Sequence, residues 1–187
     1  LTENDSSARC FLPGFAQPGA VRLFDHIWPE LAEAFETLDT KGMDVIVDAG
    51  RLGREGLPVA LLEVADAIGF VLQSNLKSLA ASRLYLPLLV EQVNSLTADR
   101  PLGLLITGPD RPYSAREITA QFGVSCWAQI PWAPHPAGVL SHGLTPPRRF
   151  RSSPLLSSYR ATALNLTQQL ERDKGLRRKL LLGEGAP

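Results

Sequence analysis

The chain has 187 residues, 44% of them hydrophobic, and its 19 basic side chains balance 19 acidic ones to a formal net charge of zero. That length supports one real core and not two full ones, and the composition excludes a disordered polymer. The neutral balance removes any whole-molecule attraction to polyanions; basic residues outnumber acidic ones only from Arg148 onward, so DNA or membrane contact is expected there if anywhere.

The first ten residues are polar and without period, and FLPGF is a loop or an edge strand. From Pro18 to Thr40 apolar residues recur at helical intervals (Val21, Phe24, Ile27, Leu31, Phe35 and Leu38), with Pro29 kinking or restarting the helix and Gly42 closing it. MDVIVD (43–48) reads as a buried strand, AGRLGREG as a glycine-rich loop, LPVALLEVA as a short helix and AIGFVLQ as a second strand. A long helix follows over 76–97, bent at Pro87, and then LGLLIT as a third strand. After the turn GPDRPY, Ser114 with Glu117 three residues on forms a capping box opening the helix SAREITAQFG. VSCWAQI is the fourth strand. The segment PWAPHPAGVLSHGLTPPRRF is mostly loop with one helical turn at AGVLSHG, and a last helix spans about Ser153 to Asp173.

Strands separated by helices predict an α/β fold, a mostly parallel sheet with helices on both faces, as one domain over 1–173 with a basic tail at 174–187. Cys10 and Cys126 lack metal-ligand or disulfide-framework spacing, no run approaches the roughly 18 apolar residues of a membrane span, and no signal pattern opens the chain. A soluble cytoplasmic protein is expected. The chain begins at Leu1 and its one methionine is Met43, so its natural start is expected upstream.

DVIVDAGRLG, the Ala65–Asp66 pair, the strand AIGFVLQ with SNLKSLAASR, and then LGLLITGPDRPYSAREITAQFGVSCWAQIPWAPHPAGVLSHG resemble, in order and spacing, the second half of the MinD/ParA family of P-loop ATPases. The resemblance runs from about Met43 to the end. It implies a P-loop NTPase-like fold, incomplete at its N-terminus, that binds ATP and Mg²⁺ in the intact protein and forms a homodimer. Such a protein would help position DNA, the septum or a surface apparatus. Asp48 would stand at the Walker B position and hold the water shell of Mg²⁺, with Gly50 and Arg51 in the switch loop. Gly108 and Pro109 would follow the strand bordering the base, and Pro131 with Trp132 would line the adenine pocket.

The chain departs from the family's pattern at three places. No GxxxxGK[ST] occurs, AGRLG replaces a proline-containing switch turn, and Ala133 stands where the family often has an acid. ATP hydrolysis is therefore not expected of the chain as it stands. The family carries its P-loop on an earlier, central strand, so an exposed apolar strand edge is expected here. The alternative is a degenerate, non-catalytic α/β scaffold that binds protein partners. The plainer alternative for Asp48 is a helix N-cap or a solvated strand end; Arg51 and Arg54 read as solvated loop residues before phosphate contacts, and His135 and His142 as surface imidazoles; Trp127 reads as core, and Trp132 as either pocket wall or packing residue. Arg148, Arg149 and Arg151 beside Phe150 could meet DNA phosphates, and GLRRKLLLGEGAP could lie on a membrane surface; either would make the protein nucleoid associated or peripheral to a membrane.

Overall fold

Three of the four expected strands form in the computed structural model, which describes residues 10–14, 26–53 and 56–181. The expected turns at 18–25, Arg54 and the end of the tail from Leu182 lie outside the described residues. The chain divides into two compact units, 1–48 and 49–187.

In the first unit, helix α1 is Trp28–Thr40, with Pro29 in its first turn, where a missing N–H leaves no bond unmade. Leu31, Ala32, Phe35 and Leu38 line its less exposed side, and Glu30, Glu33 and Glu36 face water. The helix stops at Gly42 (φ +71°), after which the Met43 amide returns to the Leu38 carbonyl at 3.1 Å. The expected strand at 43–48 does not form: residues 43–50 carry no regular secondary structure, and Ile46 is 94% exposed. A strand exists only by its ladder, and no described neighbour supplies one to this apolar run.

The second unit holds a three-stranded sheet of β1 (Ile68–Gln73), β2 (Leu102–Thr107) and β3 (Cys126–Ile130), in that order and parallel throughout. Helix α2 (Val59–Val64) leads into β1, α3 (Leu76–Asn94) connects β1 to β2, and α4 (Ala115–Phe122) connects β2 to β3. Two right-handed crossovers stepping in the same direction must lay their helices on the same face. The core agrees. Ile68 and Leu72 of β1, opposite Leu102 and Ile106, share one buried cluster with Leu86, Leu89 and Val93 of α3 and Ile118 of α4. Leu104 and Ile106 at its centre are wholly buried, each contributing about 1.5–3 kcal/mol. Pro87 lies on the exposed side of α3, as does Arg83, the residue whose carbonyl loses its helical partner to the proline.

The opposite face is covered unevenly. Helix α6 (Pro154–Leu181) packs against β3, and its buried Leu155, like Ala128 of β3, lies outside the first cluster. At β1 that face presents Gly69, Val71 and Gln73 to solvent, with Val71 66% exposed. β1 is also an edge. Its pairing turns alternate amides toward β2, beginning with Ile68 to Pro101 at 2.9 Å and ending with Ser74 to Thr107 at 3.1 Å, so those of Gly69 and Val71 point outward.

Two expectations about the C-terminal part are corrected. The segment read as mostly loop holds a nine-residue helix, α5 (Pro134–His142), because Pro134 and Pro136 both fall in the first turn, where helices tolerate proline. The last helix runs on without a break to Leu181, so the tail up to that point continues α6. Among the described residues, no helix is long and apolar enough to cross a membrane.

Candidate functional site at the carboxyl ends of the strands

In an open parallel sheet the carboxyl ends of the strands are where ligands gather, because the loops there carry no packing duty toward the next helix. Here β1 ends in Ser74–Asn75, β2 in Gly108–Tyr113 and β3 in Pro131–Ala133. Ser74 ties the first two together. It is buried, its hydroxyl donates to the Gly108 carbonyl and lies 3.1 Å from the Arg111 carbonyl, and it accepts the Arg111 amide at 3.2 Å. The Tyr113 amide reaches the Ser74 carbonyl at 3.5 Å, and the Asp110 amide reaches the Tyr113 carbonyl at 2.8 Å. Asp110 sits at φ +65°, a conformation Asp tolerates better than most residues, and the Arg111–Pro112 peptide is cis.

Gly108 connects β2 to β3. Its amide donates to the Ile130 carbonyl at 2.7 Å, and it takes φ +65°, open to glycine without steric penalty. Trp132 lies directly beside it: a Cβ on Gly108 would stand 3.5 Å from Cβ and Cε3 of the tryptophan. The indole thus rests on the β2 turn yet remains 48% exposed, making an apolar ledge flanked by the half-buried Pro109 and Pro131. Four of the residues expected from sequence, Gly108, Pro109, Pro131 and Trp132, are therefore brought together. Asp48 is an exposed carboxylate at the end of the first unit and not the tip of a buried strand, and Gly50 (φ +68°) and Arg51 are exposed at the start of the second.

Three helices start from these loops, and two of them, α3 and α4, carry a side-chain cap. Asn75 caps α3 by accepting the Ser78 amide at 2.9 Å, and the Gln73 amide is taken by the Ser78 hydroxyl at 3.0 Å. Ser114 and Glu117 form the expected capping box of α4, with Glu117 Oε2 accepting the Ser114 amide at 2.8 Å. The Ser114 hydroxyl holds the Glu117 carboxyl below its ordinary range, its amide adding to the effect. α5 has prolines at its first and third positions, which have no N–H to offer.

Cys126 is half-buried and its thiol is pushed up by burial, which argues against a nucleophile. Trp127 is only partly buried, but its indole covers the backbone of Gly103 on β2, so it packs as expected. His135 and His142 are exposed, and among the described residues no His, Cys, Asp or Glu cluster has the makings of a metal site.

Sequence reasoning missed Ser74, the pin of the site. Its signal was a small hydroxyl residue placed immediately after a buried apolar strand, where a lone side-chain donor can bridge to the next strand-end loop. No known protein family, curated protein or solved structure matches the chain.

Proposed function

We infer that the chain is a MinD/ParA-like nucleotide-binding protein that recognises adenine at the strand ends and dimerises as part of positioning DNA, the septum or a surface apparatus. The observation that carries this reading is the ledge of Trp132 resting on Gly108 between two prolines, since a half-exposed indole on a rigid turn suits stacking by a flat base. The parallel β–α–β order from Ile68 to Ile130 and the apolar segment 45–47 ahead of it support the same reading.

The fit to the cofactor is divided. The apolar ledge suits a flat base; for the triphosphate the chain offers no glycine-rich loop with its lysine. No hydrolytic step follows from these residues.

Calorimetric titration of the full chain with ATP and Mg²⁺ tests this, alongside GTP and the Trp132→Ala variant. ATP should bind in preference to GTP, and Trp132→Ala should weaken it about tenfold or more, the scale of a lost base stack. Undiminished binding by the variant, or no ATP binding at all, refutes it.

The second reading, a scaffold for protein partners, is favoured by the same capped helix starts together with the open β1 edge. It is the reading left standing if every nucleotide fails to bind.

A further inference from the structure

Sharing no residue with the strand-end ledge, the turn that leads into α6 forms a hollow of about 870 Å³, lined by Pro146, Pro147, Phe150 and Leu156 and by four arginines, Arg148, Arg149, Arg151 and Arg160. Among the described residues, no carboxylate lines it. Four like charges around one concavity repel each other, and without a counter-charge that repulsion works against the fold.

The turn is nevertheless held in shape. The Phe150 amide donates to the Pro147 carbonyl at 2.9 Å, the Ser152 hydroxyl to the Arg149 carbonyl at 3.2 Å, and Arg160 Nη1 reaches back from α6 to the Arg151 carbonyl at 2.9 Å. Two consecutive prolines stiffen the approach. Guanidinium forks match phosphate oxygens two at a time, and a preorganised turn lowers the entropy lost on binding.

We propose that this hollow is a binding site for a compact polyphosphate anion. Concavity decides the class. A duplex is a rigid rod that meets flat or protruding surfaces, and a bilayer is flat, whereas a cavity of this volume is of the size that takes a small ligand. A single phosphate could not engage four guanidiniums together; two or three linked phosphates can. The site does not depend on the adenine ledge.

The probe is inorganic tripolyphosphate, titrated into the full chain, with the double variant Arg148→Ala/Arg149→Ala, the single variant Trp132→Ala and, as a charge control outside the hollow, Arg116→Ala. Arg148, Arg149 and Arg116 are all exposed, so none of these truncations removes buried packing. Tripolyphosphate should bind the full chain, weaken about tenfold or more in the double variant, fall steeply between roughly 50 and 200 mM salt, and be unchanged by Arg116→Ala and Trp132→Ala. It should also raise the unfolding temperature of the full chain and not that of the double variant. The proposal is overturned if tripolyphosphate does not bind, or if Arg116→Ala weakens it as much as the double variant does. It is equally overturned if a DNA duplex or single strand of equal total charge, or vesicles rich in anionic lipid, bind the hollow arginines more tightly. If Trp132→Ala abolishes ATP binding and leaves the tripolyphosphate titration intact, the two sites are separate; if only the arginine variant affects ATP, the adenine reading fails and this one stands.

Discussion

Removing the Ser74 hydroxyl should loosen the strand-end loops before it touches the core. Ser74→Ala deletes a donor to the Gly108 carbonyl and an acceptor for the Arg111 amide, while the space of one oxygen is too small to collapse the site. The two losses are unequal. The Gly108 carbonyl is bonded in a buried position and would be stranded, at the full penalty of an unsatisfied buried group, whereas Arg111 is exposed and its amide can take water in exchange. Counting about 1–2 kcal/mol for the first and under about 1 kcal/mol for the second gives roughly 2 kcal/mol, close to a thirtyfold change in the folding equilibrium. Urea unfolding followed by tryptophan fluorescence gives the global number, and amide exchange at Arg111 and Asp110 reads the loop itself, where protection should fall about tenfold. A loss of stability under about 0.5 kcal/mol with unchanged exchange at Arg111 would show that the hydroxyl does not hold the loop.

Four further outcomes are expected. Ile106→Ala, at a wholly buried position, should destabilise the fold by about 2–5 kcal/mol by urea titration. Gly103→Ala should cost about 1–3 kcal/mol and red-shift the tryptophan emission, because the new Cβ would coincide with the Trp127 indole and expel it. Glu117 is held below its ordinary pKa in the folded chain, so its cap contributes fully above the ordinary carboxylate range and is lost as pH falls through the lower folded value; the stability gap between wild type and Ser114→Ala should therefore be constant near neutrality and close in acid. Val71→Lys should suppress association of the full chain in concentration-dependent sedimentation, since a charge at that position blunts the unpaired edge, and an unaltered profile would count against an accessible edge.

What was legible in the sequence follows the strength of the local signal. AIGFVLQ, LGLLIT and VSCWAQI are short apolar runs bounded by polar turns, and all three became strands because each pairs with a neighbour. The Ser114–Glu117 box is a purely local motif and formed as read. α5 was hidden because two prolines look like loop unless they fall in a helix's first turn, which depends on where the helix starts. The Ser74 pin was hidden because its partners lie over thirty residues away in sequence, at Gly108 and Arg111. Of the candidate site, the two strand-end turns were legible from Gly108–Pro109 and Pro131–Trp132; the bond from the Gly108 amide to the Ile130 carbonyl that joins them was not.

The failed strand at 43–48 and the open edge of β1 bear on each other physically. Val45, Ile46 and Val47 have the composition of a strand buried on both faces, and they are exposed to water. β1 is six residues long, carries no Lys, Pro or acid, and presents outward amides at Gly69 and Val71, so within the strand itself none of the charges or prolines that blunt an edge is present. One explanation covers an apolar run without a ladder and an unprotected ladder without a further strand: each is suited to pairing with a strand that neither has here. If another β segment completes the pairing, whether from a second copy or from a separate chain, residues 45–47 and the amides of Gly69 and Val71 should gain exchange protection together on mixing. Protection gained at β1 alone would separate the two features and leave the apolar run at 45–47 without an account.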